Sequence, residues 1–199
     1  MLHETLSFIQ EEYNSFVAIK TGATPVYPLI LGNIAQHESP AKNTESAGGI
    51  ENSLVLSLVN IEEERTMGTM KNFIRSDHSS QYTNPPLHLN LYLIFSANIN
   101  DYGEALKQLT WVIRFFQAKS AFTRQNSPRL FEGVELLHFK LHPVNFEQAF
   151  SFWGAMGGKY IPSVLYKVRM ITIDQKVIIE DVPPIKELEV EQKDIWINK

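Results

Sequence analysis

Residues 87–96 read Leu87-His88-Leu89-Asn90-Leu91-Tyr92-Leu93-Ile94-Phe95-Ser96, and five residues later Asp101 opens a different pattern. In the first stretch Leu87, Leu89, Leu91, Leu93 and Phe95 occupy alternate positions, with His88, Asn90, Tyr92, Ile94 and Ser96 between them. A period of two with apolar residues on one side is a strand with a strongly buried face. Beyond Asp101, a helix cap, Leu106, Leu109, Val112, Ile113 and Phe116 recur at helical steps over residues 102–119, with Trp111 and Phe115 beside them. A one-faced strand followed by a one-faced helix calls for a sheet with helices packed on it.

The flanking sequence extends that plan. Residues 2–20 place Leu2, Leu6, Ile9, Tyr13, Phe16 and Val17 on one helical face, and Gly22 with Pro25 stops the helix. Residues 26–34 read as a short strand, and 36–52 as a mobile polar loop. Residues 53–62 are apolar on both alternating faces, which predicts a central strand covered on both sides. The polar stretch 66–86, closing in Pro85-Pro86, reads as a long loop. Residues 133–142 form a strand with Leu137, Phe139 and Leu141 on one face. Residues 145–156 form a short helix capped by Asn145, with Phe146, Ala149, Phe150 and Trp153 at helical spacing, ended by Gly157-Gly158. Residues 163–173 are the last clear strand. The order predicts an α+β fold with one mixed, mostly antiparallel sheet. It places a single domain over 1–181 and a charged C-terminal arm over 182–199.

The chain has 199 residues and no cysteine, so disulfides, thiolate metal sites and a cysteine nucleophile are excluded. A formal net charge of −4 argues against nucleic acid as the main partner. No apolar run approaches the roughly 20 residues that span a bilayer, which argues against a membrane. Met1-Leu2-His3-Glu4 lacks the cationic and apolar regions of a signal peptide.

Catalytic and metal chemistry find little support. His138 and His142 are four residues apart, but on a strand that spacing spans about 13 Å, too far for one ion. Gly154, Gly157, Gly158 and Lys159 resemble a phosphate loop only loosely, because Trp153 and Tyr160 stand where that motif needs glycine and a hydroxyl. Glu62, Glu63 and Glu64 alternate faces along a strand and so do not converge on a point. No serine lies in a Gly-x-Ser-x-Gly elbow. The reading is of a non-enzyme with no cofactor and no metal.

Contacts are the better use for these residues. Glu62, Glu63 and Glu64 form either a solvated strand end or a charged contact to another subunit. Lys167 and Arg169 share one face of the last strand, opposite Val164, Tyr166, Val168 and Met170. That basic stripe is either open to solvent or meets an acidic partner, such as the Glu62–Glu64 end of a neighbouring copy. Ile195-Trp196-Ile197 either adds an edge strand to its own sheet or docks on another chain with Trp196 as anchor.

Three stretches carry a resemblance: Ser57–Thr66 (SLVNIEEERT), Leu89–Asn98 (LNLYLIFSAN) and Phe152–Met170 (FWGAMGGKYIPSVLYKVRM), with the helix core Val112–Gln117 between them. Together they resemble the tube-terminator, or cap, family of extracellular contractile injection systems, over roughly residues 5–175. The resemblance implies a phage tail-terminator-like fold and a structural role in a phage-tail-like particle assembled in the cytoplasm. It implies a six-fold ring on the last layer of the inner tube, at the end distal to the baseplate, that stops tube growth and anchors the last sheath layer. The implied partners are further copies of the chain, the tube protein and the sheath protein. The alternative is a non-catalytic adaptor elsewhere in the same kind of particle. The family's signature falls on Asn60–Arg65 and Trp153–Arg169. The expected partner-contact residues are Glu62, Glu63, Glu64, Arg65, Trp153, Lys159, Tyr160, Lys167, Arg169 and Trp196. The chain is short for this family, some members of which carry a further C-terminal domain.

Overall fold

A computed structural model describes residues 1–36, 49–64, 73–75, 80–83, 87–157, 159–173 and 178–182. In chain order the elements are α1 (Leu2–Thr21), β1 (Leu29–Leu31), a 3₁₀ turn (Ile34–Gln36), β2 (Ser53–Glu63), β3 (Phe73–Arg75), β4 (Ser80–Thr83) and β5 (Leu87–Asn98). There follow α2 (Tyr102–Ala118), β6 (Ala121–Thr123), β7 (Leu136–Leu141), α3 (Phe146–Ala155), β8 (Ser163–Ile173) and β9 (Ile178–Val182). They fall into two compact units, Met1–Thr66 with Leu87–Ile173, and Met67–Pro86 with Asp174–Lys199.

The larger unit is built on a six-stranded sheet ordered β1-β2-β5-β8-β7-β6. β1 runs parallel to β2, and every other pairing is antiparallel. This is the expected α+β fold with a mixed, mostly antiparallel sheet. In the smaller unit β3, β4 and β9 form an antiparallel three-stranded sheet. The stretch read as the loop 66–86 therefore contains two short strands. β3 pairs locally with β4, whereas β9, the other partner of β4, lies about 100 residues further along the chain, so no local pattern announces that pairing.

Two helices cover one face of the larger sheet. Asp101 caps α2 by accepting a hydrogen bond from the Glu104 N–H at 2.9 Å. Gly22 ends α1 in the left-handed conformation (φ 70°), with its N–H bonded to the Ala18 carbonyl. Phe8, Ile9, Tyr13 and Val17 of α1 and Ala105, Leu109, Val112, Phe115 and Phe116 of α2 pack on Leu54, Leu56, Leu91, Leu93 and Phe95. Aromatic rings organise this core. Phe116 stacks on Phe139 at 4.5 Å, and Phe8 meets Phe122 edge-on at 5.7 Å. The buried stripe of α2 sits to one side of the expected one: Phe115 is buried, whereas Leu106 and Ile113 are exposed.

The opposite face is covered over part of its length. Ile34, Val55, Ile94, Trp153 and Ile161 form a smaller core under α3. Ser57 anchors the chain there, donating to the Gly32 carbonyl at 2.6 Å and accepting from the Ile34 N–H at 3.1 Å. β2 is therefore sandwiched only along Leu54–Ser57. Towards Glu63 its outer half is exposed, so the expectation of cover along the whole strand fails. Among the described residues, no helix is long and apolar enough to cross a membrane.

Candidate functional site

Where α3 ends its cover, the sheet presents a charged face built from four strands. Sheet register sets its composition. Glu62 of β2 lies opposite Asn90 of β5, and Tyr92 lies opposite Lys167 of β8. Lys167 and Arg169 in turn lie opposite Lys140 and His138 of β7. Two irregularities tune the geometry, at Leu58–Asn60 in the β2–β5 pairing and at Leu89–Leu91 in the β5–β8 pairing. Such bulges twist a strand and re-aim its side chains.

The stripes of opposite charge meet within one chain. The Glu62 carboxylate accepts the Tyr92 hydroxyl at 2.6 Å and the Lys167 ammonium at 3.0 Å. The Glu64 carboxylate accepts from Asn90 Nδ2 at 2.9 Å and from Arg169 Nη2 at 3.3 Å. Lys167 also lies 5.2 Å from the centre of the Tyr92 ring, which packs edge-on against His142. The Tyr92 hydroxyl first, then Lys167, hold Glu62 below the usual carboxylate range. Hydrogen bonding to Tyr92, then to Glu62, raises Lys167 above the usual lysine range. Exposed pairs of this kind contribute little to stability, so the ladder fixes side-chain positions more than it strengthens the fold. Glu63, between Glu62 and Glu64, is on the alternate position and is exposed.

Beside the ladder lies an apolar groove of about 340 Å³. His142, Val144, Gln148, Trp153, Tyr160 and Leu165 contribute to its walls. Asn145 and Gln148 form a reciprocal capping box that starts α3, with bonds of 2.7 and 3.1 Å. Gly157, at φ 107°, terminates it. Trp153 is buried, as its place in the helical pattern predicts, and Tyr160 packs edge-on to it at 6.0 Å. The rest of that apolar row does not follow: Phe146 and Phe150 are 89% and 77% exposed. Spacing identifies residues that share a helix face but does not say what the face meets.

The expected contact residues are thus partly assembled. Glu62, Glu64, Lys167 and Arg169 share the ladder, and Trp153 and Tyr160 share the groove. Lys159 is exposed next to Tyr160. Arg65 and Trp196 lie outside the described residues. Tyr92, Asn90 and His142 were missed as site residues. The alternation of residues 87–96 did place Tyr92 and Asn90 on the polar side of their strand, which is the signal that could have found them. His138 lies on β7 and His142 just beyond its end, which keeps the extended spacing expected for them. Among the described residues, no cluster of three or more His, Asp or Glu side chains is placed to hold a metal ion.

The chain is an α+β module whose main sheet carries a charged ladder and an apolar groove on its α3 side. The Pvc16 N-terminal domain family matches residues 9–187, and the chain belongs to that family. Among solved structures its fold is similar to the sheath/tube terminator of the PVC extracellular contractile injection system in the extended state. The TM-score is 0.59 at 8% identity, over 98% of this chain and 64% of that one. The chain thus spans about 64% of that terminator's length. The anti-feeding prophage tube-terminating cap matches with a TM-score of 0.48 at 15% identity, over 70% of this chain and 49% of that one. No curated protein matches the chain.

Proposed function

We propose that this chain is a structural, non-catalytic protein that caps the inner tube of a contractile injection system at the end distal to the baseplate. In that role it ends tube growth and anchors the last sheath layer. Its partners are further copies of itself in a six-fold ring, the tube protein and the sheath protein. Assembly takes place in the cytoplasm. The observation that carries this reading is membership of the Pvc16 N-terminal domain family over residues 9–187. The terminator-like fold supports it.

Size supports it as well. A globule the size of the larger unit has a radius of gyration of about 15 Å and a diameter of about 40 Å. Six such discs in contact enclose a hole about as wide as one disc, which is the scale of a protein tube. A ring needs head-to-tail contacts between two different surfaces. Growth stops when a subunit offers tube-like contacts on one side of the ring only.

Tube length is the direct test. Tubes assembled with the chain present are expected to be short and uniform, and tubes assembled without it longer and broadly distributed. Equal length distributions would reject the capping role.

A further inference from the structure

The charged ladder is unbalanced on its β7 side. Lys140 lies directly opposite Lys167, and His138 directly opposite Arg169. Like charges directly opposite each other on a sheet are destabilising. Glu62 partners Lys167 and Glu64 partners Arg169. Lys140 is exposed and has no carboxylate partner among the described residues. The face is short of one carboxylate, at Lys140.

The apolar groove begins one step along the same two strands. His142 follows Lys140 by two residues and Leu165 precedes Lys167 by two, and both wall the groove. Apart from His142, Gln148 and Ser163, the walls are aliphatic or aromatic, with Phe152, Trp153 and Tyr160 among them. Glu147, the carboxylate of α3, is exposed and does not contribute to them. An apolar cavity of about 150 Å³ holds a benzene ring, so a groove of about 340 Å³ admits an indole. Two residues of extended chain span about 7 Å, the same step that separates cation from groove along β7 and β8. A segment that satisfies both features carries a carboxylate and a large aromatic two residues apart.

One tryptophan of this chain has that spacing. Leu109 and Ser151 stand two residues before Trp111 and Trp153, whereas Asp194 stands two residues before Trp196. The sequence just upstream adds charge of the right sign, with Glu187, Glu189 and Glu191 besides Asp194 and only Lys193 against them. This segment lies outside the described residues, and its sequence is what matches the face.

We propose that segment 187–197 of one copy docks on the α3 side of the sheet of the next copy, with the Asp194 carboxylate at Lys140 and Lys167 and the Trp196 ring in the groove. Segment and groove are different surfaces, so the contact is head-to-tail, and repeating it builds a ring or an open chain. The inference rests on the ring reading above and names its interface.

The absence of cysteine makes the test clean. Val144 lines the groove and is exposed, and Asn198 is two residues from Trp196. Val144→Cys and Asn198→Cys variants of the full chain are mixed across a concentration series, free and on assembled tubes, and bridged with a short bis-maleimide. The mixture is expected to give a linked pair of about 46 kDa, twice the 22.8 kDa chain, while neither variant alone does. Trp196→Ala in the tail copy is expected to raise the half-linking concentration about 30-fold, the loss expected of one interface hot spot. Lys140→Glu in the groove copy, an exposed change that leaves the fold intact, is expected to raise it about 10-fold, and Asp194→Lys in the tail copy to restore it. No link in either setting, or linking unchanged by Trp196→Ala and Lys140→Glu, would overturn the contact. So would a double variant that links only within one chain. Tubes that are capped without the link would reject this interface and keep the capping role. A link that forms with no effect on tube length would do the reverse.

Discussion

Tyr13 sits in the main core with its ring edge-on to Phe115 at 5.6 Å, and its hydroxyl has no hydrogen-bond partner among the described residues. Removing an unpaired buried hydroxyl while keeping the ring costs little or stabilises. Tyr13→Phe is therefore expected to melt at or above the wild-type temperature. Burial also pushes the phenol well above its ordinary 10.0. The sign follows from linkage. Above pH 10 the unfolded chain gives up this proton while the folded chain keeps it, so stability present below pH 10 is lost as pH rises. The slope is up to about 1.4 kcal/mol per pH unit for one such group. Thermal melts between pH 9 and 11 are expected to show that loss in the wild type and a shallower one in Tyr13→Phe. Equal slopes would contradict the assignment to Tyr13, leaving buried Tyr166, which burial also raises, as the source. Trp153 is the contrasting residue. It is the largest member of the smaller core, and Trp153→Ala is expected to cost about 3 kcal/mol, roughly 6–12 °C in a chain of this size.

At the scale of elements, small polar devices hold the architecture. Asn145 starts α3 with a reciprocal box, and Asn145→Ala is expected to cost about 1 kcal/mol in chemical denaturation. Asn126→Ala removes two main-chain partners of β6, and is expected to cost more, about 1–3 kcal/mol. It also uncovers a strand edge, so self-association by strand addition is expected to rise, readable by light scattering. Long elements were legible in the sequence because periodicity needs room to repeat. Residues 2–20, 53–62, 87–96, 102–119 and 163–173 all lie within a few residues of the observed elements. β3 and β6 are three residues each, too short to show a period, and were missed. β6 exists because Phe122 is buried beside Phe139, a tertiary fact, and because Asn126 closes its free edge from three residues away. The ladder was half legible. Alternation put Lys167 and Arg169 on one face, but their meeting with Glu62 and Glu64 depends on strand order across about 105 residues. The groove draws on β5, β8 and α3 together, and no single stretch encodes it.

At the scale of the molecule, the α+β fold, the organised but non-convergent charges and the exposed aromatics all suit a part made to be assembled. A ring of six copies would have a mass of about 137 kDa, six times 22.8 kDa. The capping claim is tested most directly by where the protein sits on a finished particle. The full chain, carrying an electron-dense tag, would be located on assembled sheathed tubes by negative-stain microscopy. The account predicts label at one end of each tube only, opposite the baseplate. Label along the shaft or at the baseplate would contradict it.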